Sequence, residues 1–571
     1  MKQLFISILT LIMALGCTPD EGVENNGNKN NNYGGGYKPT GKITVKGLVY
    51  GGGSTKLAGV VISDGLLCVQ TDENGYFEID SDLSRTKFIT ASIPSGYSAP
   101  TDENGLPIFY HKVTDEERTK DMVQHTFEFL PINNNNPNRY TLIVGADPQP
   151  RARSAGYDNI AYHSLDMCED FYRDMREKAA TITDRNVYGM MLGDVVHENM
   201  SLYTDYLAGL KTLGFPMFNI LGNHDNDYTA SNDTDGRRKF EQHLGPTYYS
   251  FNLGRQHYVV LDNLIMKLDS NSQLRDYDQG LTEEVWQWLQ NDLMYVDRST
   301  TIMLAAHSPM FMGINMAERS NNTQNHRSDY AALFSKYSKV HAWAGHAHTT
   351  FNYVYPESSN LKNIEVHTVA RSTGELWTNE YAINGTPRGY TVVEVDGDDI
   401  SWYFKPTLYQ RNGFTGKTSP QPEYKHRDYD FDDDGVARLR RDGSALTESY
   451  QMKVYKPGQY NNTYDEMIAG HATNKYVYVN VFLWDDKWEK PKYNGTTMTK
   501  VGYKDAYSLS AYEINNHYYT YGYKLAGGNE YGPGGGNIHT IFRAYEPDLK
   551  GNGTVTVVDR FGNEYSQTIS W

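Results

Sequence analysis

Cysteine is scarce, with three residues in 571. That excludes a disulfide-stapled scaffold and any zinc site built from four thiolates. Positive charge is also short: Lys and Arg total 53 against 70 Asp and Glu, a formal net charge of −17. Such a surface repels polyanions, so no nucleic acid partner is expected. Long apolar runs are missing apart from "LFISILTLIMAL" in the first 17 residues, which is too short for a membrane span. No repeat of 20–50 residues is visible, which sets aside solenoids and propellers.

What is present is tyrosine (46), glycine (51) and 39% hydrophobic residues in many alternating segments, the pattern of a globular, strand-rich protein. Lys2, the short apolar run and Gly16-Cys17 read as an export signal. The ending "MALGC" resembles a bacterial lipobox, which makes Cys17 the expected lipid anchor of a cell-envelope lipoprotein, periplasmic or surface-exposed, in the outer membrane. Cys68 and Cys168 fall in different segments and are expected to be buried thiols.

Residues 18–40 have almost nothing apolar to bury and read as a flexible tether. From 41 to 130 the chain alternates as a β-sandwich does, with Asp72-Glu73-Asn74-Gly75 expected to close a hairpin. A linker, "PINNNNPN", covers 131–138. Between 139 and 407 apolar strand-like runs alternate with helical patterns, including "LTEEVWQWLQNDL" capped by Thr282, which predicts an α/β layered domain. Residues 408–571 return to short strands with Gly/Asn turns, a C-terminal β-rich domain.

Chemistry concentrates where strands end. Asp147 and Gln149 lie in "GADPQ", Asp194 in "MMLGD", Asn223, His224 and Asp225 in "LGNHD", His307 in "LAAHSP", and His346 and His348 in "WAGHAH". In an α/β sheet, residues just past the carboxyl ends of strands converge on one crevice. Mixed carboxylate, amide and imidazole donors suit Mn, Fe, Zn or Mg. Two such ions about 3.5–4 Å apart can share a carboxylate, generate hydroxide near neutral pH and hold a phosphoryl group for in-line attack.

These fragments, in this order, resemble the calcineurin-like metallophosphoesterase family, whose motifs run D-x-H, G-D, G-N-H-D/E, a lone His and G-H-x-H. The resemblance covers Tyr140 to Pro406. It implies a layered β-sandwich flanked by helices, two divalent metal ions, and hydrolysis of a small phosphoester. Carried over position by position, Asp147, Gln149, Asp194 and His348 surround one metal. Asp194 bridges to the second, held by Asn223, His307 and His346. His224 then protonates the leaving oxygen or stabilises the transferring group, with Asp225 orienting it. The departure is Gln149, where the family pattern has histidine. Either its amide oxygen or a water completes the first site, or the site binds weakly and favours Mn or Mg, or it has decayed; a working site of reduced affinity is favoured.

Arg371 in "VARSTGELW" and Arg388 in "GTPRGY" are candidate phosphate-binding residues. "DFDDDGVARLRR" begins like a calcium loop, but Arg441 stands where a bidentate glutamate is needed. The alternative to an enzyme is a catalytically weak or inert lipoprotein that binds a phosphorylated glycan or lipid. An intact His224-Asp225 pair speaks against it, because binding alone needs no proton donor.

Overall fold

The computed structural model describes residues 40–133, 136–151, 164–312, 325–373, 386–407, 410–411, 429–431, 436–440, 448–455, 457, 475–500, 540–548 and 550–571. The export signal, Cys17, the tether, part of the linker and much of the acidic segment ending at Arg441 lie outside them.

Two four-stranded sheets form the first module. Val45–Gly51 pairs with Tyr76–Ile79 and, in parallel, with Val123–Pro131; the second sheet is built around Val61–Ser63 and Phe88–Ala91. Alternation in Val123–Pro131 turns Val123, Phe127 and Phe129 inward, where they meet Val45, Val49, Ile62 and Ile89 in one core. The Asp72–Gly75 turn forms as expected, with Gly75 at φ 71°. Its flanking strands belong to different sheets, so it is a corner between layers and not a hairpin.

The central domain stacks two larger sheets. One has the order Met217–Asn219, Asn186–Met191, Arg139–Gly145, Gly389–Asp396, Asp399–Pro406, and its first three strands are parallel. The other runs Tyr249–Leu253, Gln256–Leu261, Thr301–Ala306, Lys339–Ala344, Ile364–Thr368, Phe351–Val354, with four parallel strands at its centre. Because strand side chains alternate, each run splits between two cores. Leu142, Val144 and Met190 face Tyr258, Val260, Met303 and Trp343 between the sheets. Ile143 and Met191 face outward onto Phe171, Tyr172 and Met175 of the helix Ser164–Ala180. On the far side, Val259, Ile302 and Leu304 pack against Trp288 and Leu289 of the helix Glu283–Leu293, whose N-cap is Thr282. Burial on both faces explains why these strands read as continuous apolar runs.

The last β-rich region has two four-stranded sheets built around Tyr476–Val481 with Ile541–Tyr545, and around Asn552–Val558 with Glu564–Ser570. The aromatic cluster Phe482, Trp484 and Trp488 is buried in its core. Cys68 and Cys168 are buried and form no disulfide with each other.

Candidate metal centre

All five motif loops leave the carboxyl ends of parallel strands, so the topology alone brings them to one edge of the stacked sheets. The approach is closer than ordinary side chains allow. A Cβ on Gly222 would stand 2.2 Å from the Asp194 carboxylate, and one on Gly193 would meet the His307 ring at 2.6 Å. Gly193 also sits at φ 85°, a conformation that costs other residues energy. Backbone strain collects here: Asp147, Gln149, Asp194, Glu198, His346 and His348 all have φ between 43° and 63°. Non-glycine residues in the left-handed region cost about 1–3 kcal/mol each and persist where surrounding structure enforces them.

One group of donors is tightly focused. His307 Nε2 lies 3.2 Å from Asn223 Oδ1, 3.2 Å from Asp194 Oδ2 and 3.2 Å from His346 Nδ1. Ligand atoms about 2.1 Å from a common ion would be spaced about 3.0–3.4 Å apart, so these contacts match the edges of a coordination polyhedron. His307 Nδ1 donates to the Leu192 carbonyl at 2.6 Å, which aims Nε2 inward and fixes the ring, as outer-shell partners do. Burial disfavours charge on His307, but the Asp194 carboxylate outweighs it and pushes the imidazole up to about 9. Burial would raise Asp194, yet His307 and His224 hold it well below the ordinary range. An ion here would take the place of that proton.

A second group brings Asp147, Asp194 and His348 within bonding reach of a common point. Asp147 is fully buried and accepts the His346 backbone N–H at 3.0 Å. Asp194 belongs to both groups. Gln149 is present, but its amide nitrogen is hydrogen-bonded to Asp194 Oδ2 and its oxygen accepts from Arg371. Its oxygen therefore faces a cation and not the donors it was expected to join.

Several expected roles change. Asp225 does not orient His224. Its carboxylate accepts the backbone N–H of Val196 at 3.0 Å and of Gly222 at 2.8 Å, because the 3-10 turn Asn223–Asp225 folds it back into the core. Asp225 braces the loop instead. His224 Nδ1 is approached by Glu198 at 3.4 Å and by the Tyr228 hydroxyl at 3.1 Å, while His197 stacks on its ring with centroids 4.0 Å apart. Glu198 is in turn held by Arg275 at 2.8 Å. Arg388 is not at the site: fully buried, it donates to the Met167 carbonyl and faces Asp170, tying a sheet to the helix Ser164–Ala180. Arg371 is at the centre but is fully buried, donating to the Gln149 oxygen and lying 3.4 Å from His348 Nδ1.

Sequence reasoning missed Glu198, Tyr228, Arg275 and Tyr277, whose hydroxyl is 3.0 Å from His346 Nε2. Only Glu198 carried a signal, standing four residues beyond Asp194. Replacing Glu198 with Gln is expected to lower kcat about 10- to 100-fold with metal content unchanged, since it touches His224 and no metal donor; turnover measured beside metal analysis checks this. Another cluster, His341, Glu365 and His367, has donor geometry too. Its glutamate is already paired with Lys339, Lys487 and Arg560, so it has no charge left for an ion.

Comparison with known proteins gives the family. The model of the calcineurin-like phosphoesterase matches residues 146–350, that of its N-terminal region 43–129 and that of its C-terminal region 366–565. The chain belongs to the calcineurin-like phosphoesterase family. The family's cofactors are two divalent metal ions, and the buried, mixed-donor set found here fits them. Purple acid phosphatase 15 of Arabidopsis thaliana is 25% identical over 280 residues, 45% of this chain and 48% of that protein. A probable glycerophosphodiester phosphodiesterase of Arcobacter nitrofigilis is 32% identical over 150 residues, 26% of this chain and 50% of that one. The chain thus matches about half the length of these relatives. A dimetal phosphatase from Danio rerio is similar over 48% of this chain and 98% of its own, at 14% identity and a TM-score of 0.33. The C-terminal family model begins within the strand Ile364–Thr368, inside the central domain and not at its end.

Proposed function

We propose that this family member hydrolyses a small phosphoester outside the cytoplasm, held on the outer membrane by a lipid at Cys17. The observation that carries the hydrolytic reading is the 3.2 Å spacing of Asn223, Asp194 and His346 around His307 Nε2, with Asp147 and His348 alongside. Bound there, two divalent ions would activate water and offset the charge of the phosphoryl group. Asp194 also accepts the His224 backbone N–H at 2.8 Å, which fixes the imidazole beside the metal positions. Glu198 and Tyr228 occupy the Nδ1 side of His224, leaving Nε2 to deliver a proton to the departing oxygen. A protein that only captured phosphorylated glycan or lipid would need neither this bracing nor the strain that accompanies it.

The full chain supplied with Mn is expected to release the alcohol from a generic aryl phosphate or bis-aryl phosphate, and to stop on chelation. In the same cells it should fractionate with membranes, and Cys17→Ala should free it. Silence of the metal-replete protein across a broad phosphoester panel would sink the hydrolytic reading, and a membrane-bound Cys17→Ala protein would sink the anchor.

A further inference from the structure

The sequence posed Gln149 as a weakened ligand. Geometry gives it a different neighbour. Arg371, fully buried, reaches Gln149 from the segment that follows the strand Ile364–Thr368, where its backbone bridges Ala146. A guanidinium can only donate and a carboxylate can only accept. The two ends of the Gln149 amide are therefore assigned without ambiguity: oxygen to Arg371, nitrogen to Asp194. Arg371 Nη1 also lies 3.4 Å from His348 Nδ1. Donation there makes Nδ1 the acceptor and leaves the ring proton on Nε2, which faces Asp147 Oδ1 at 3.5 Å.

We infer that Arg371 is a resident cation of the first metal position, holding the Gln149 oxygen away from it and the ring proton of His348 on the nitrogen that faces it, so that the two positions fill in sequence and with unequal affinity. The group formed by Asp194, Asn223, His307 and His346 carries no such competitor among the described residues, and it fills first. An ion entering beside Asp147 finds the facing nitrogen of His348 carrying the ring proton, with a buried positive charge behind that ring. Gln149 is in this arrangement the tether of Arg371 and not a ligand. It explains why glutamine suits the position: its amide satisfies a donor on one side and an acceptor on the other, whereas a neutral imidazole between Arg371 and Asp194 would have to serve both with two ring nitrogens in a fixed plane.

This rests on the metal-centre reading, and the test separates the two. Mn binding to the full chain, followed by the electron paramagnetic resonance signal of free Mn, is expected to resolve one tight and one weak position. Arg371→Met should strengthen the weak position by at least about tenfold and leave the tight one alone. Gln149→Met, which keeps the Arg371 charge and guards against misfolding of the first variant, should not weaken that position by more than about threefold, because a tether and not a ligand is lost. Two equally tight positions in the unaltered chain, an Arg371→Met protein that binds the second ion no better, or a large loss of affinity in Gln149→Met would each overturn the assignment. Absence of any bound Mn would instead remove the metal centre itself, and this inference with it.

Discussion

Asp194→Asn is expected to cut phosphoester turnover by about a thousandfold or more while the protein stays folded, with metal content falling below that of the unaltered chain. Asparagine is the informative choice because it tolerates the left-handed backbone that Asp194 adopts at φ 52°, as few other residues do. It also keeps an oxygen for the His224 backbone N–H, now 2.8 Å from Oδ1. What it loses is charge. The carboxylate is 1% exposed and is the one residue common to both donor groups, so a neutral amide weakens both positions at once. The amide nitrogen that replaces Oδ2 would also donate where Oδ2 accepts, and so face the Gln149 N–H with the wrong polarity. A thermal midpoint close to that of the unaltered chain, beside lost turnover and lost metal, is the expected pattern. Turnover within tenfold of the unaltered enzyme would mean that the centre lies elsewhere.

Much of this centre was legible because strand physics and metal chemistry left separate marks. Apolar runs buried on two faces are easy to see, and four of the five end at a glycine followed within two residues by a donor, Ala306-His307 being the exception. Thr282 was readable as a cap because a small hydroxyl residue directly precedes the acidic first turn, and its side chain does accept the Val285 N–H. Adjacency misled in the case of Asp225. It sits beside His224 in sequence, but the tight turn sends their side chains apart, and the carboxylate that reaches His224 comes from Glu198 on another loop. Sequence spacing does not encode such a crossing of loops.

The arginines failed for a related reason. "GTPRGY" looks like a surface loop, yet the strand begins at Gly389, so Arg388 is drawn into the layer between sheet and helix and finds its partners there. A charged residue beside a turn signal is usually solvated, and nothing local marks the exception. Arg371 was singled out as a candidate phosphate binder, and it lies buried among the metal donors at a depth that depends on a backbone bridge to Ala146, joining positions more than two hundred residues apart. The Asp72–Gly75 turn makes the same point on a smaller scale: turn residues specify a reversal, and only pairing partners decide whether it joins neighbours or layers.

The second large effect is expected far from the metals, at Glu365. This fully buried carboxylate, on a strand of the central domain, is gripped by Arg560 through contacts of 2.7 and 2.9 Å, by Lys487 at 2.7 Å and by Lys339. Arg560 and Lys487 come from the C-terminal β region, and Arg560 also lies 4.9 Å above the Trp402 ring and 3.0 Å from Asp485. Burial opposes its charge, but Arg560 and His341 outweigh that and hold it well below the ordinary carboxylate range. Glu365→Gln would leave those cations facing a neutral amide, and removing one partner from a buried charge cluster typically destabilises by about 3–5 kcal/mol. A lower urea midpoint with kcat unchanged in the protein that remains folded is the expected result. Acid should act on the same region through the histidines beside it. His341 Nδ1 and His367 Nε2 are 3.0 Å apart, His367 stacks on Trp343, and His367 Nδ1 pairs with Asn352, whose amide nitrogen donates to the Leu483 carbonyl. Burial lowers His341 to about 3, and burial with the nearby His341 lowers His367 well below its ordinary value. In the unfolded chain both take up protons near pH 6.5, while in the folded protein they do not, so the unfolded state binds more protons throughout that interval. Stability contributed by these groups is therefore complete above about pH 6.5 and is lost as pH falls from there toward 3. His341→Gln should flatten the fall in urea midpoint between pH 7 and 5, and an unchanged slope in that variant would show that the acid sensitivity arises from other groups.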